Sequence, residues 1–222
     1  MKNLSQRIIT SVILLFILSI ILFINKYIWL FGLILCSLVL FNEFNNLTKK
    51  IWKKNKSILV YVHILTFLFL LILVFTSYEI YSKPPGVLVF IILICICSDT
   101  GGYIIGNLIG GRKLTKISPK KTISGSIGSF IFSLFPIVII WIFNQNTQEW
   151  NFISISYLKL IPVCLFLCLI CQMGDLFISY FKRKANVNDT GSILPGHGGL
   201  LDRIDGVIFV LPTAYIIDKI FF

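Results

Sequence analysis

The residues best suited to chemistry are concentrated in one stretch of the chain, residues 173–206. The stretch reads MGDLFISYFKRKANVNDTGSILPGHGGLLDRIDG and lies between two apolar runs. It contains four of the nine acidic side chains of the chain. Its ionisable residues of interest are Asp175, Asp189, Asp202, Asp205, Lys182, Arg183, Lys184, Arg203 and His197. Acids, cations and glycine turns gathered beside apolar runs are what phosphate and metal chemistry needs.

The acidic residues of this stretch predict a divalent cation. Asp175 follows one apolar run and Asp202 precedes the next, so folding can bring both to the same membrane face. Carboxylates gathered without enough cations repel one another, and Mg²⁺ typically takes one or two of them together with waters and phosphate oxygens. Asp205 would share a helix face with Asp202 if Leu201 begins a helix. One histidine without a nearby cysteine does not complete a zinc site.

A second polar stretch, residues 98–128, reads SDTGGYIIGNLIGGRKLTKISPKKTISGSIG. Asp99 lies near the end of an apolar run, where a carboxylate is costly without a partner, and this favours a functional role for it. Gly102, Gly106 and Gly110 recur every four residues, a spacing that predicts close packing of one helix on another.

The middle of the second stretch predicts a phosphate-binding loop. Ser118, Lys120, Lys121 and Thr122 place cations and hydroxyl groups directly before a predicted helix start at Thr122. The free N–H groups and the positive dipole end of such a helix suit the charge of a triphosphate. The Walker A pattern G-x-x-x-x-G-K-[ST] is absent from the sequence.

The composition predicts an all-α integral membrane protein that forms one domain over residues 1–222. Mean hydropathy is +0.92 and 57% of the residues are hydrophobic. The net charge of +11 fits the basic flanks of membrane helices better than nucleic-acid binding, because no soluble basic domain is present. We predict a polytopic helix bundle of about seven spans, and more if short or broken helices are counted. These spans fall at roughly 8–24, 27–42, 57–76, 86–105, 123–143, 157–173 and 207–222.

The charge distribution predicts which side of the membrane the polar stretches face. With the N-terminus in the cytoplasm, 16 of the 20 Lys and Arg residues lie on the cytoplasmic side. This asymmetry follows the positive-inside rule and places a catalytic face in the cytoplasm, at the inner membrane if the source is bacterial. We expect the basic segment 42–57 to be a solvated loop that anchors the protein on lipid phosphates. His63 is expected to pack between helices with one hydrogen-bond partner.

Three blocks of the sequence resemble the motifs of one enzyme family. The string S-x-F-K-R-x4-N-D-x-G-x2-L-P-G-H-G-G-x2-D-R-x-D, residues 179–205, is similar to the signature of phosphatidate cytidylyltransferases, the CDP-diacylglycerol synthases. Residues 98–103 (SDTGGY) and 118–122 (SPKKT) resemble the two other blocks of that family, in the same order. The N-terminal half of the chain matches only as a series of spans.

The resemblance implies a reaction, its substrates and a set of residues. The reaction transfers the cytidylyl group of CTP to phosphatidic acid and gives CDP-diacylglycerol and pyrophosphate for phospholipid biosynthesis. Membrane lipid is the other implied partner, nucleic acid is not one, and a homodimer is left open. The implied catalytic residues are Asp175, Lys182, Arg183, His197, Asp202, Arg203 and Asp205. The implied substrate-binding residues are Asp99, Ser118, Lys120, Lys121, Thr122, Ser179, Gly198 and Gly199.

The same resemblance implies Mg²⁺ as the cofactor, with a second cation left open. Asp175 and Asp202 would bind the metal ion, Asp205 would be a weaker ligand, and Asp99 would be a ligand or would position one. His197 would position a phosphate oxygen. A base is hardly needed, because the attacking phosphate is already ionised.

The sequence departs from the family pattern at three positions. Asn188 replaces a lysine, while Ser124 and Ile178 each replace a glutamate. We expect these changes to weaken a phosphate contact and the support of the metal site without abolishing activity.

Two other functions fit parts of the sequence. A CTP-dependent lipid kinase of the prenol or dolichol type would share the polytopic body and the nucleotide, but would release CDP. An ion-coupled transporter could use Asp99 and Asp175. A transporter is expected to carry its polar groups at the membrane midplane and to show an internal repeat, and neither feature is seen in the sequence.

Overall fold

The fold was obtained as a computed structural model, which describes residues 24–83, 85–146, 157–196 and 198–221 and positions 16, 18, 19, 21 and 22. Apart from single antiparallel bridges between Lys113 and Thr122 and between Leu194 and Gly198, the ordered elements of this part are helices, so the all-α prediction is confirmed. The helices are α1 (Lys26–Ile51), α2 (Lys56–Tyr81), α3 (Pro85–Ile109), α4 (Ile123–Phe132), α5 (Phe135–Asn146), α6 (Tyr157–Lys184), α7 (Leu201–Ile204) and α8 (Val207–Phe221).

The helix lengths confirm an integral membrane protein. Within the described residues, five segments are long and apolar enough to cross a bilayer: Lys26–Ile51, Lys56–Tyr81, Gly86–Ile109, Ile123–Ile142 and Leu158–Lys184. The predicted span 8–24 lies largely outside the described residues. The predicted span 207–222 forms α8, whose 15 residues fall short of the roughly 20 that a perpendicular span requires.

The prediction of a loop over 42–57 is wrong for most of its length. Helix α1 continues to Ile51 and α2 begins at Lys56. The apolar run ends near residue 42, but Glu43, Leu47 and Thr48 are buried. Burial of these residues supports about two and a half further turns of helix that the hydropathy of the sequence does not indicate.

The expected role of His63 is confirmed. Its Nε2 atom lies 3.3 Å from the hydroxyl of Thr48 on α1. The ring also packs edge-on against Phe41, with 6.3 Å between the ring centroids. His63 is therefore a packing residue between α1 and α2.

The described residues fall into two compact units. The first comprises the described part of Met1–Tyr78 together with Tyr180–Ile204, and the second comprises Glu79–Ser179 with Asp205–Phe222. The chain passes from one unit to the other within α2, within α6 and after α7. The single domain over residues 1–222 stays a prediction.

Glycines bring α3 and α4 of the second unit into close contact. The predicted packing of Gly102, Gly106 and Gly110 is confirmed for the first two. A Cβ atom at Gly106 would lie 3.1 Å from the hydroxyl of Thr122 and 3.4 Å from the Cα of Gly125. A Cβ at Gly102 would lie 2.5 Å from the hydroxyl of Ser129.

The third glycine of that series does not pack. Gly110 follows the last residue of α3 with φ of 63°, and a Cβ there would meet nothing within 4 Å. Its left-handed conformation ends the helix, which is a common role of glycine at this position.

Gly128→Ala is expected to destabilise the second unit. The added methyl would lie 2.5 Å from the Cβ of Ile105 and 2.9 Å from the carbonyl oxygen of Gly101, and such overpacking costs about 1–3 kcal/mol. Thermal unfolding of the purified protein in detergent measures the effect. Gly32→Ala is the matched control, because among the described residues the atoms nearest to its methyl would belong to the flexible side chain of Ile21, the nearest at 3.3 Å. Equal stability of the two variants would contradict the packing described here.

Candidate active site

In the first unit, the loop between α6 and α7 is organised around the carboxylate of Asp202. Its Oδ2 atom accepts hydrogen bonds from the backbone N–H of Thr190 at 2.7 Å, the hydroxyl of Thr190 at 3.0 Å and the backbone N–H of Gly199 at 3.1 Å. Its Oδ1 atom accepts from Nζ of Lys182 at 2.8 Å. The side chain of Asp202 is 7% exposed and that of Lys182 is 16% exposed.

These contacts keep Asp202 ionised. Burial alone would raise the pKa of its carboxyl, but the hydrogen bond from Lys182, its charge, and the N–H groups of Thr190 and Gly199 outweigh burial. The pKa of Asp202 is therefore held below its ordinary value of 3.8. Asp202 carries a full negative charge at neutral pH, balanced by Lys182.

Glycine is required where the loop turns beside this carboxylate. Gly198 has φ of 88° and exchanges backbone hydrogen bonds with Leu194, at 2.9 and 3.1 Å. A Cβ at Gly198 would lie 3.1 Å from Oδ2 of Asp202 and 3.1 Å from Cβ of Asp189. The backbone that is predicted to bind a ligand thus forms a tight turn with no side chain at Gly198. The neighbouring His197 lies outside the described residues.

The remaining predicted cations of the first unit lie at its surface. Arg183 is exposed near the end of α6, and its Nη1 lies 3.4 Å from Oδ1 of Asn188. Arg203 is exposed on α7. Asn188 therefore accepts a hydrogen bond from a cation at a position where the family pattern has a further cation.

The second unit brings together four of the predicted residues. Asp175 on α6 forms an ion pair with Lys121, and its Oδ1 atom accepts a hydrogen bond from the hydroxyl of Ser179 at 3.4 Å. Asp99 on α3 is close enough to interact electrostatically with both Asp175 and Lys121. Two carboxylates, a lysine and a hydroxyl from three parts of the sequence thus lie in one neighbourhood.

The predicted helix start after the SPKKT block is confirmed. Thr122 is the N-cap of α4, and its hydroxyl oxygen accepts the backbone N–H of Gly125 at 3.0 Å. The hydroxyl of Ser124 lies 3.0 Å from that of Thr122 and donates to the carbonyl oxygen of Gly110. Ser124, which replaces a family glutamate, therefore ties the end of α3 to the start of α4.

The loop before α4 has a defined backbone. Leu114 N–H donates to the carbonyl of Lys121 at 2.8 Å, and Lys121 N–H donates to the carbonyl of Ser118 at 3.0 Å. The N–H of Ser118 donates to the hydroxyl of Thr115 at 3.2 Å. Lys120 is exposed beside this turn, so the block presents one lysine to its surroundings and one to Asp175.

Asp205 and Asp202 do not share a helix. Helix α7 ends at Ile204, and Asp205 lies beyond it, where its Oδ1 accepts the backbone N–H of Gly206 at 3.0 Å. Asp205 and Asp175 belong to the second unit and Asp202 to the first. The joint binding of a metal ion by Asp175 and Asp202 stays a prediction.

The second unit offers the better fit to Mg²⁺. The described residues contain no group of three or more His, Cys, Asp or Glu side chains that could hold a metal ion. Mg²⁺ commonly takes one or two protein carboxylates and completes its shell with waters and phosphate oxygens. Asp175 has a second carboxylate, Asp99, nearby and is engaged by one lysine and one hydroxyl. Asp202 is engaged by Lys182 and by the backbone N–H groups of Thr190 and Gly199, with the Thr190 hydroxyl also in contact.

The third departure from the family pattern lies in the core. Ile178 on α6 is 2% exposed. A glutamate at this buried position would need hydrogen-bond donors around it. An apolar residue here removes that requirement.

Sequence reasoning missed Glu43 and Thr190. Glu43 on α1 is buried and accepts hydrogen bonds from Thr190, Leu200 and Leu201. The available signal was an acidic residue at the end of an apolar run, in a segment otherwise rich in lysine. Thr190 carried no signal of its own, since one threonine in a polar loop is ordinary.

Comparison with known proteins identifies related sequences. The model described as the cytidylyltransferase family matches residues 52–221. Over 142 residues the chain is 42% identical to the phosphatidate cytidylyltransferase of Staphylococcus aureus strain COL. The aligned residues cover 63% of this chain and 52% of the relative. Over 147 residues it is 39% identical to the phosphatidate cytidylyltransferase of Bacillus subtilis strain 168, covering 64% and 52% of the two chains. The chain thus spans about half the length of the curated relatives it matches.

The ion pair of Asp202 with Lys182 predicts a pH-dependent stability. Because folding lowers the pKa of Asp202, the unfolded chain binds this proton more readily, and acid favours unfolding. The contribution is complete above about pH 4 and is lost as the pH falls through the lower pKa of the folded state. Asp202→Asn is expected to cost on the order of 3 kcal/mol at neutral pH, because Lys182 loses its partner.

Unfolding free energies of the wild type and the Asp202→Asn variant, compared between pH 7 and pH 3, check this prediction. The difference should shrink below about pH 4. A variant as stable as the wild type at pH 7 would contradict it.

Proposed function

Because the chain belongs to the cytidylyltransferase family, we propose that it transfers the cytidylyl group of CTP to phosphatidic acid. The products are CDP-diacylglycerol and pyrophosphate. An oxygen of the lipid phosphate bonds to the α-phosphorus of CTP, and the bond from that phosphorus to the β-phosphate oxygen breaks. The attacking phosphate is already ionised, so no base is required.

The observation that carries this proposal is the loop between α6 and α7, residues 185–200, which lies within the signature string and folds around an ionised Asp202. Phosphoryl and nucleotidyl transfers depend on positioning and on charge compensation more than on covalent chemistry by the protein. Gly198, in the left-handed conformation, has no side chain to keep a phosphate away from the backbone of this turn. Arg183 and Arg203, exposed on the same unit, supply positive charge for substrate phosphates.

The second unit supplies the other group of residues that the reaction needs. Lys120 and Lys121 would bind phosphates of the nucleotide. They directly precede Thr122, the N-cap of α4, so a phosphate bound there would lie near the positive end of the helix dipole. Asp175 would hold Mg²⁺, with Asp99 as a second ligand or a positioning residue. Mg²⁺, when bound, would offset the charge of the phosphates during transfer. Ser179 orients the carboxylate of Asp175 through the 3.4 Å hydrogen bond.

Membrane topology and location follow from the same proposal. Phosphatidic acid resides in the bilayer and CTP in the cytoplasm, so the loop must face the cytoplasmic side. The excess of Lys and Arg in the segments assigned to that side supports this orientation. The two relatives described above are bacterial, which supports the inner membrane as the location. Neither the lipid-kinase nor the transporter alternative is favoured by the family.

The proposal predicts the products of the purified protein with phosphatidic acid, Mg²⁺ and CTP labelled at the α-phosphate. Label is expected in the lipid, together with released pyrophosphate. Asp175→Asn is expected to lower kcat at least about 100-fold, because it removes a metal ligand and the partner of Lys121.

Asp218→Asn is the matched control for this variant. Asp218 is also paired with a lysine, Lys83, and its side chain is 23% exposed, against 27% for Asp175. It should retain activity within about threefold of the wild type. Release of CDP without label in the lipid would indicate a kinase, and an Asp175→Asn variant as active as the control would contradict the assigned role.

A further inference from the structure

Glu43 is a buried carboxylate to which the proposed transfer assigns no task. It lies on α1 and is 3% exposed, and it precedes the residues 52–221 matched by the family model. Its Oε1 atom accepts the backbone N–H of Leu200 at 3.0 Å, and its Oε2 atom accepts that of Leu201 at 2.8 Å. The hydroxyl of Thr190 lies 3.1 Å from Oε2. A carboxylate is rarely buried unless such donors compensate the loss of water.

Glu43 and Asp202 divide the donors of one loop between them. Three consecutive backbone N–H groups point at carboxylates: that of Gly199 at Asp202, and those of Leu200 and Leu201 at Glu43. The hydroxyl of Thr190 lies within 3.1 Å of both carboxylates and can donate its one proton to either. The loop is therefore fixed by two anions, one from its own short helix and one from α1.

The glycines of the loop are fitted to Glu43. A Cβ at Gly191 would lie 2.6 Å from Oε1 of Glu43, and a Cβ at Gly199 would lie 2.6 Å from Oε2. Neither position has room for a side chain while the carboxylate is in place. The carboxylate of Glu43 therefore packs directly against the backbone of Gly191 and Gly199.

We propose that Glu43 is a positioning residue for cytidylyl transfer, holding Gly198 and Gly199 where the loop meets a substrate phosphate. This inference rests on the proposed function. Glu43 acts through the loop, because its carboxylate is buried and already accepts the backbone N–H groups of Leu200 and Leu201. Displacement of such a loop by a fraction of an ångström lowers the rate of a reaction that depends on alignment.

Two substitutions of Glu43 separate positioning from general support of the fold. Glu43→Gln keeps the size of the side chain but offers one acceptor oxygen in place of two, so the N–H of Leu200 or of Leu201 loses its acceptor. Glu43→Asp keeps the charge and both acceptors on a shorter stem. We expect kcat to fall about 10- to 100-fold in Glu43→Gln and to recover to within about fivefold of the wild type in Glu43→Asp. Glu79→Gln, the same chemical change at a half-buried position of α2, is the matched control.

Hydrogen–deuterium exchange gives a readout that does not depend on activity. In Glu43→Gln, peptides covering residues 188–201 should exchange about tenfold faster, while peptides from α3 and α4 should exchange as in the wild type. A kcat within twofold of the wild type would overturn the inference. Equally faster exchange in α3 and α4 would also overturn it, because Glu43 would then support the whole fold.

The failure of this inference differs from failure of the proposed function. A wild-type protein that makes no CDP-diacylglycerol would overturn the proposed function and, with it, the task assigned to Glu43. An active wild type with an equally active Glu43→Gln variant would overturn the role of Glu43 alone.

Discussion

The hydrogen bonds between the carboxylate of Asp202 and the backbone of its own loop are the interaction on which the candidate site depends. A charged group beside an apolar bundle needs donors in place of water, and a loop that leaves regular structure needs acceptors for its N–H groups. Here the carboxylate of Asp202 accepts the N–H groups of Thr190 and Gly199, so both needs are met, and Lys182 balances its charge. The compact turn at Gly198 follows from this exchange.

Two of the predicted cations form ion pairs with acidic residues of the protein, one in each unit. Lys182 pairs with Asp202 in one unit, and Lys121 pairs with Asp175 in the other. Such pairs contribute modestly to stability when they are partly solvated. Their larger effect is to fix the direction of long, flexible side chains. A lysine held in this way has less conformational entropy to lose when it binds an anion.

The most specific features of the site could be predicted from the sequence. The helix start at Thr122, the packing of Gly102 and Gly106, and the role of His63 follow from local patterns, and each is confirmed. The neighbourhood of Asp99, Asp175 and Lys121 links three distant parts of the sequence. Each of these residues could be singled out because charged residues are rare in an apolar chain, but the pairing of Lys121 with Asp175 was not predicted.

Features set by tertiary contacts were not accessible in the same way. The continuation of α1 to Ile51 depends on burial of a polar segment, which hydropathy assigns to a loop. Glu43 was overlooked for the same reason: its partners lie about 150 positions further along the chain, at Thr190, Leu200 and Leu201. The role of Gly110 as a helix end, and not as a packing residue, depends on a backbone angle that its spacing does not reveal.

The central claim is that an oxygen of the lipid phosphate becomes bonded to the α-phosphorus of CTP. Phosphatidic acid with ¹⁸O in its non-bridging phosphate oxygens, incubated with the purified protein, CTP and Mg²⁺, tests this directly by mass spectrometry of both products. All the ¹⁸O is expected to stay in the CDP-diacylglycerol, including the oxygen that bridges its two phosphorus atoms, and the pyrophosphate is expected to contain none. Release of CDP, or ¹⁸O in the pyrophosphate, would contradict the central claim.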